Sequence, residues 1–221
     1  MLDTHKAPLD TIASHRIVPV IAIENVEHAL PLADALLAGG LPVVEITFRT
    51  AAAAAVIHLL AAERPQLLVG AGTVLDADTV DAAVEAGARF ALAPGCLPQT
   101  IERAASLGLP FVPGVQTPSD IERARSLGCS LLKFFPAEAA GGLPMLEAIF
   151  APYKHTGIRF IPTGGVSPSN LTSYLQSPAV AAVGGTWLAR SSDMQQGHFA
   201  EITARTRDAL QQRDQTGVPP R

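Results

Sequence analysis

The stretch LLKFFPAE, residues 131–138, places one lysine inside an apolar run that is typical of a buried strand. Lys133 is one of three lysines, and the other two, Lys6 and Lys154, lie in polar segments. Burying an ammonium group without a partner costs several kcal/mol. We therefore expect Lys133 either to pair with a carboxylate or to be a free amine part of the time, and a free amine attacks carbonyl groups. A purely structural ion pair and a lysine that reaches solvent are the alternatives at this point.

Composition argues against several classes of protein. The chain has 221 residues, a net charge of −4 and 5% aromatic residues, which gives no support for nucleic-acid binding. No apolar run approaches the roughly 20 residues of a membrane span, and the first ten residues, MLDTHKAPLD, contain no apolar signal region. We expect a cytoplasmic protein with no membrane partner. Its two cysteines, Cys96 and Cys129, are too few for a disulfide framework and are expected to be unreactive thiols.

The pattern around residues 131–138 recurs along the whole chain. Short apolar runs alternate with Ala- and Leu-rich helical segments after a short N-terminal helix near residues 8–14. Eight strands are predicted, at residues 17–23, 43–47, 67–72, 90–93, 111–112, 131–134, 159–162 and 180–184. Eight repeated units predict an α/β protein with a single (β/α)8 TIM barrel over residues 1–210, and an open doubly wound sheet is the alternative. Residues 211–221 are predicted to form a disordered tail.

Active sites of such barrels lie at the carboxyl ends of the strands. Glu45 and Lys133 are both embedded in apolar strands, so they can meet if both point into the barrel. A carboxylate beside an amine is either a static ion pair or a general base beside an imine-forming lysine. Arg49, in the loop after the Glu45 strand, suits a substrate carboxylate, although an ordinary surface arginine is the commoner case. Thr73 ends the next strand and offers a hydroxyl and an N–H, or a helix cap.

Two glycine pairs end the last two predicted strands. Gly164-Gly165 and Gly184-Gly185 stand where barrels of this type commonly bind phosphate through backbone N–H groups. Two tight turns would explain the same glycines, but their paired occurrence favours an anion site. None of the six histidines stands on a predicted strand end with a second ligand, so no metal site is expected there.

Five motifs taken together resemble the 2-keto-3-deoxy-6-phosphogluconate (KDPG) aldolase family, which includes enzymes that also cleave 4-hydroxy-2-oxoglutarate (KHG). The motifs are VEITFRT at 44–50, VGAGTVL at 69–75, KFFPAE at 133–138, PTGG at 162–165 and GGTW at 184–187. The resemblance implies a metal-free class I aldolase, a carbon–carbon lyase that needs no cofactor. It further implies a homotrimer that acts in Entner–Doudoroff carbohydrate metabolism.

The resemblance also implies roles for individual residues. Lys133 would form the Schiff base, and Glu45 would be the general acid and base. The pyruvyl part of the substrate would be held by Arg49, Thr73, Pro94, Phe135 and Thr163. The phosphate would be bound by Gly164, Gly165, Gly184, Gly185 and Thr186, of which the last stands where the family commonly has serine.

The predicted reaction is the reversible cleavage of KDPG to pyruvate and glyceraldehyde 3-phosphate. Cleavage of KHG to pyruvate and glyoxylate is a second activity that the same site could have. The alternatives are the aldolase for the galactonate-derived epimer (KDPGal), a barrel that only binds sugar phosphates, and an epimerase that forms no imine.

Overall fold

A computed structural model of the chain describes residues 7–217 as an α/β fold with parallel strands. The strands are β1 (Ile17–Ile21), β2 (Val43–Thr47), β3 (Leu68–Gly72), β4 (Ala91–Leu92), β5 (Phe111–Val112), β6 (Gly114–Val115), β7 (Leu131–Phe134), β8 (Arg159–Pro162) and β9 (Val183–Gly185). The helices are α1 (Ala7–His15), α2 (Ala29–Ala38), α3 (Ala53–Glu63), α4 (Ala77–Glu85), α5 (Pro98–Ser106), α6 (Pro118–Ser126), α7 (Gly142–Phe150), α8 (Leu171–Gln176), α9 (Ser191–Gln195) and α10 (Phe199–Asp214). Two 3-10 helices span Val26–His28 and Ala151–Thr156.

The strands form two parallel sheets. The six-stranded sheet has the order β5-β4-β3-β2-β1-β9, and the three-stranded sheet has the order β6-β7-β8. Isolated parallel bridges, Phe160 to Val180 and Thr163 to Gly184, connect β8 to the segment that contains β9. Parallel strands in register bring their carboxyl ends to one edge, so residues that end different strands can line one site.

The predicted fifth strand is longer in the structure and is interrupted. Phe111–Val112 and Gly114–Val115 belong to different sheets, and Pro113 separates them. Proline has no N–H to donate to a ladder, which is a physical reason for the break. The last strand begins at Val183 and not at residue 180, and the structure joins Val180 to Phe160 by a single bridge.

The strands are apolar because they are covered on both faces. All five residues of β1 and of β2 are buried. One cluster packs α2, α3 and α4 against one side of the six-stranded sheet, and a second packs α6, α7 and α8 around β7 and β8. Small residues such as Ala33 and Ala104, both fully buried, allow the helices to lie close to the sheets. No helix within residues 7–217 has the length and apolar character that crossing a membrane requires.

The C-terminal helix corrects part of the predicted tail. Helix α10 runs to Asp214, so residues 211–214 are helical. Leu210 is buried, and the guanidinium of Arg213 donates a hydrogen bond to the carbonyl of His15 at 3.1 Å. These contacts hold the last turn against the body of the protein, which a reading of polar composition alone overlooks. The rest of the predicted tail lies largely outside the described residues.

Candidate active site

Lys133 and Glu45 meet although 88 residues separate them in the chain. Lys133 Nζ lies 3.2 Å from Glu45 Oε1, and the two side chains are only 6% and 1% exposed. The second carboxylate oxygen, Oε2, is buried and has no hydrogen-bond partner among the described residues. An acceptor that is buried and unused costs free energy unless a ligand or water satisfies it. The two side chains therefore form an ion pair, and Oε2 of Glu45 remains available to accept a proton from another molecule.

Glycines lie beside Glu45 and Lys133 on the neighbouring strands β3 and β6. Gly70 and Gly72 lie on β3, in register with Glu45 and Thr47 of β2. A methyl group at Gly72 would lie 2.1 Å from Glu45 Oε1, which is far inside van der Waals contact. Gly114 lies beside Lys133 in the ladder, and a methyl group there would lie 2.1 Å from the carbonyl oxygen of Pro94. Gly72 thus allows β3 to approach Glu45 closely, and Gly114 allows β6 to pass close to the backbone of Pro94.

Arg49 is held by a threonine that the sequence interpretation missed. The Nε of Arg49 donates to Thr47 Oγ1 at 3.1 Å, and Thr47 Oγ1 donates to the carbonyl of Ile21 at 3.1 Å. Thr47 is 1% exposed, so this hydroxyl is a buried link between β1 and the arginine. The signal was available, because Glu45, Thr47 and Arg49 are spaced by two residues and alternate residues of a strand share a face.

Thr73 has an unusual backbone conformation. Its φ is 58°, in the left-handed region that β-branched residues rarely adopt. Such conformations cost roughly 1–3 kcal/mol and cluster at functional sites.

The predicted pyruvyl-binding residues Pro94, Phe135 and Thr163 line the same cavity as Lys133 and Thr73. The centroid of the Phe135 ring is 5.7 Å from Lys133 Nζ.

The loop after β8 presents free backbone donors. Gly164 and Gly165 have φ values of 95° and 86°, which glycine adopts without strain. No hydrogen bond between described residues uses the N–H of either glycine, whereas their carbonyl groups both accept hydrogen bonds. Unused N–H groups in a glycine loop are suited to an anion. Across this loop, a methyl group at Gly184 would lie 2.2 Å from Thr163 Oγ1, so only glycine fits at that position.

These residues line one cavity of about 220 Å³. Every predicted site residue lines it except Gly185, and the wall also contains Val20, Thr47 and Val166. A methyl group at Gly185 would lie 1.6 Å from the ring of Trp187, so packing against tryptophan explains that glycine. The solvent exposure of the lining residues differs across the cavity. Lys133 and Glu45 are buried at its base, whereas Arg49, Gly165 and Thr186 are exposed. A ligand with a reactive carbonyl and charged ends would fit this distribution.

A second cavity of about 280 Å³ does not have the same character. It is lined by Leu9, Ile101, Phe111, Cys129 and neighbouring residues, and none of the lining residues within 7–217 has a charged side chain. Burial, with a smaller contribution from Cys96, raises the pKa of the Cys129 thiol to about 11. Burial also raises the pKa of Cys96. Both thiols are therefore protonated near neutral pH and are poor nucleophiles.

One group of potential metal ligands lies elsewhere. Within residues 7–217, Asp193, His198 and Glu201 bring their ligand atoms within 4.8 Å of one another at the junction of α9 and α10. Asp193 already accepts hydrogen bonds from the Arg205 guanidinium and from the N–H of Arg190. Its charge is thus used in holding the two helices together.

Sequence comparison agrees with the resemblance. A family model for KDPG and KHG aldolase matches residues 10–205. The 2-dehydro-3-deoxy-phosphogluconate aldolase of Pseudomonas aeruginosa is 44% identical over 211 residues, which are 95% of this chain and 95% of that protein.

Solved structures are similar over nearly the whole chain. The KDPG aldolase of Legionella pneumophila, with pyruvate captured at low pH as a covalent carbinolamine intermediate, is 39% identical with a TM-score of 0.86. The match covers 90% of this chain and 96% of that one. The 2-keto-3-deoxy-6-phosphogluconate aldolase of Zymomonas mobilis ZM4, with 3-phosphoglycerate, is 37% identical with a TM-score of 0.85. That match covers 93% of this chain and 95% of the other.

Proposed function

Because this chain belongs to the KDPG and KHG aldolase family, we propose that it is a class I aldolase that cleaves KDPG reversibly to pyruvate and glyceraldehyde 3-phosphate. The observation that carries the proposal is the buried Lys133–Glu45 pair at the base of a cavity whose mouth is polar. A static ion pair in the core would need neither a cavity above it nor an unused carboxylate oxygen. Both features are what an imine-forming lysine with a neighbouring proton carrier requires.

The reaction begins with the lysine. The free amine of Lys133 attacks the C2 ketone, and loss of water from the carbinolamine gives an iminium ion. The iminium nitrogen accepts the electron pair of the C3–C4 bond when that bond breaks, while the C4 hydroxyl loses its proton and becomes the aldehyde. The resulting enamine takes a proton at C3, and water then releases pyruvate and restores the amine.

Glu45 moves the protons of these steps. It lies 3.2 Å from the amine and has a second oxygen without a partner, so it can hold a proton for either the carbinolamine or the C4 hydroxyl. Water links the carboxylate to the more distant of these positions. The low exposure of the pair keeps bulk water from competing for the imine.

The substrate ends are assigned to opposite parts of the cavity. Arg49, held by Thr47, and the hydroxyls of Thr73 and Thr163 bind the carboxylate of the pyruvyl part, and Pro94 and Phe135 enclose it. The free N–H groups of Gly164 and Gly165, with the close approach at Gly184 and the hydroxyl of Thr186, receive the phosphate. Gly185 contributes through its packing against Trp187.

The two sheets are proposed to form one closed (β/α)8 barrel. Two observations support closure: β5 and β6 are continuous through Pro113, and the bridges from Phe160 and Thr163 connect β8 to the last strand. A single domain that extends through α10 to Asp214, a homotrimer, a cytoplasmic location, independence from metal and a role in Entner–Doudoroff metabolism complete the proposal. The trimer, the metal independence and the metabolic role follow from the family resemblance, and the single domain and the location follow from the sequence pattern. Sedimentation velocity and activity in the presence of EDTA test the trimer and the metal independence.

The experiment that tests the function is reduction with borohydride in the presence of pyruvate, followed by peptide mass mapping. A reduced pyruvyl adduct on Lys133 is expected. The rates of cleavage of KDPG, KHG and the KDPGal epimer then rank the substrates. A folded protein that forms no adduct would remove the aldolase proposal and favour a non-covalent sugar-phosphate barrel or an epimerase.

A further inference from the structure

The segment after the Lys133 strand runs along the glycine loop after β8. The N–H of Ala137 donates to the carbonyl of Thr163 at 2.8 Å, and the N–H of Glu138 donates to the carbonyl of Gly164 at 3.0 Å. The position of Lys133 and the position of Gly164 are thus connected through a few residues of backbone.

The side chain of Glu138 also contacts the loop. A methyl group at Gly165 would lie 2.5 Å from both Cβ and Cγ of Glu138, so the glutamate stem packs directly against this glycine. From another direction, the Nδ2 of Asn170 donates to the carbonyl of Gly165 at 3.2 Å. Gly165 is therefore held by a polar contact to Asn170 and by packing against Glu138.

A buried tyrosine holds the carboxylate end of Glu138. The hydroxyl of Tyr174, on α8, donates a hydrogen bond to Glu138 Oε1. Tyr174 is 1% exposed, and burial together with Glu138 raises the pKa of its hydroxyl, so it stays a donor. A glutamate that is otherwise exposed at the surface is thereby fixed in one orientation, because a fully buried aromatic side chain has little freedom to move.

We propose that Glu138 and Tyr174 are positioning residues that hold the N–H groups of Gly164 and Gly165 in place for the substrate phosphate, at a set distance from Lys133. This inference rests on the proposed function, since it assigns the loop to the phosphate of that substrate. Neither side chain lines the cavity or touches the reacting atoms. Their effect is specificity for phosphorylated over unphosphorylated substrate.

The test compares substrates that differ only in the phosphate. KM and kcat are measured with KDPG and with 2-keto-3-deoxygluconate for the wild type, Glu138→Ala, Glu138→Gln and Tyr174→Phe. Glu138→Ala and Tyr174→Phe are expected to raise KM for KDPG about tenfold or more, which is the effect of weakening hydrogen bonds to a charged ligand. Their KM for 2-keto-3-deoxygluconate and their rate of pyruvate trapping should stay within about twofold of wild type. Glu138→Gln keeps an acceptor for Tyr174 and should recover most of the phosphate preference.

Tyr153→Phe is the matched control. Tyr153 is also a buried tyrosine whose hydroxyl donates to a glutamate, Glu122, at 3.2 Å, but neither residue lines the cavity or contacts the glycine loop. Its substitution removes the same kind of contact and should leave the phosphate preference unchanged. Thermal unfolding of each variant reports any general loss of stability.

A direct binding measurement separates this inference from the proposed function. The Kd of glycerol 3-phosphate, measured by calorimetry, should rise about tenfold in Glu138→Ala and Tyr174→Phe but not in Glu138→Gln. If the wild type traps no pyruvate while this pattern holds, the aldolase proposal fails and the positioning role stands. If the wild type traps pyruvate and Glu138→Ala and Tyr174→Phe bind the ligand as the wild type does, or impair both substrates equally, the positioning role is overturned.

Discussion

The six-stranded sheet brings most of the polar side chains of the cavity, whereas the three-stranded sheet brings the lysine and the glycine loop after β8. From the first come Glu45, Thr47, Arg49 and Thr73, at the ends of β2 and β3. From the second come Lys133 and the Gly164-Gly165 loop, at the ends of β7 and β8. The side of the cavity that we assign to the carboxylate is thus built from side-chain groups, and the side that we assign to phosphate is built mainly from peptide N–H groups, with the hydroxyl of Thr186 beside them.

This difference predicts two kinds of mutational effect. A functional group is removed by changing the side chain that carries it, so its loss is direct. A backbone donor has no side chain to remove, and only its position can be changed, through a neighbour or through a glycine that becomes too large. Binding variants of the two sides should therefore differ in whether the rise in KM depends on the phosphate of the substrate.

The largest effect is expected for Lys133→Arg. Arginine keeps the positive charge beside Glu45 but does not form an imine, so kcat should fall about 10⁴-fold or more. The borohydride adduct with pyruvate should disappear, while the unfolding midpoint stays near that of the wild type because the ion pair is retained. Cleavage at the wild-type rate by this variant would contradict the mechanism.

Glu45→Gln should have the next largest effect. The amide keeps the size of the carboxylate but is neutral and cannot accept and release a proton near neutral pH. We therefore expect kcat to fall by about 10²–10⁴-fold. Unlike Lys133→Arg, this variant should still trap pyruvate, only more slowly, and the trapping rate is the measurement. A variant that loses all adduct would show that Glu45 shapes the lysine site and does not mainly carry protons.

Gly165→Ala tests the phosphate side of the cavity, where the proposed donors are backbone N–H groups. Alanine at a φ of 86° is strained, and its methyl group would also meet Glu138 at 2.5 Å. KM for KDPG should rise about tenfold or more, with little change for 2-keto-3-deoxygluconate. Gly157→Ala is the control, because Gly157 has a φ of 79° but nothing within 4 Å of the added methyl group. Both variants should lose about 1–2 kcal/mol of stability from the backbone strain, and only Gly165→Ala should lose phosphate preference.

Thr47→Val tests the carboxylate end of the cavity, where the proposed binding groups are side chains. Valine has the shape of threonine but lacks the hydroxyl that joins Ile21 to Arg49. KM should rise about fivefold for phosphorylated and unphosphorylated substrates alike, which corresponds to the loss of about 1 kcal/mol from one buried hydrogen bond. Thr47→Ser retains the hydroxyl and should behave as wild type. An effect confined to KDPG would show that the two sides are not separate in function.

The smallest effect concerns pH and a residue that does not line the cavity. Burial, followed by the charge of Arg213, lowers the pKa of His15 below its ordinary 6.5. Because the unfolded chain binds a proton more readily than the folded one, stability should fall as the pH drops below 6.5. His15→Asn should show a smaller fall in urea midpoint between about pH 7.5 and pH 5.5, with no change in substrate preference. Identical pH dependence in both proteins would contradict the assignment.

Local patterns predicted much of the fold and most of the site. Apolar runs bounded by glycine and proline located the strands, and polar residues at their ends located the cavity wall, since alternation and termination are local properties. Thr47 was missed because a threonine in a strand is ordinary until its hydroxyl partners are known. Gly185 does not line the cavity, and its packing against Trp187 could not be predicted because glycines that allow close packing and glycines that bind anions look the same in a sequence.

The sequence by itself determined the order of the α/β units, the lysine in an apolar strand and the motifs that mark the family, because each of these depends on a few consecutive residues. Tertiary structure alone decided that Lys133 and Glu45 lie 3.2 Å apart, that Tyr174 holds Glu138 and that α10 continues to Asp214. The physical reason is that such contacts join residues far apart in the chain. Their distances depend on how sheets and helices pack, and no local pattern records that packing.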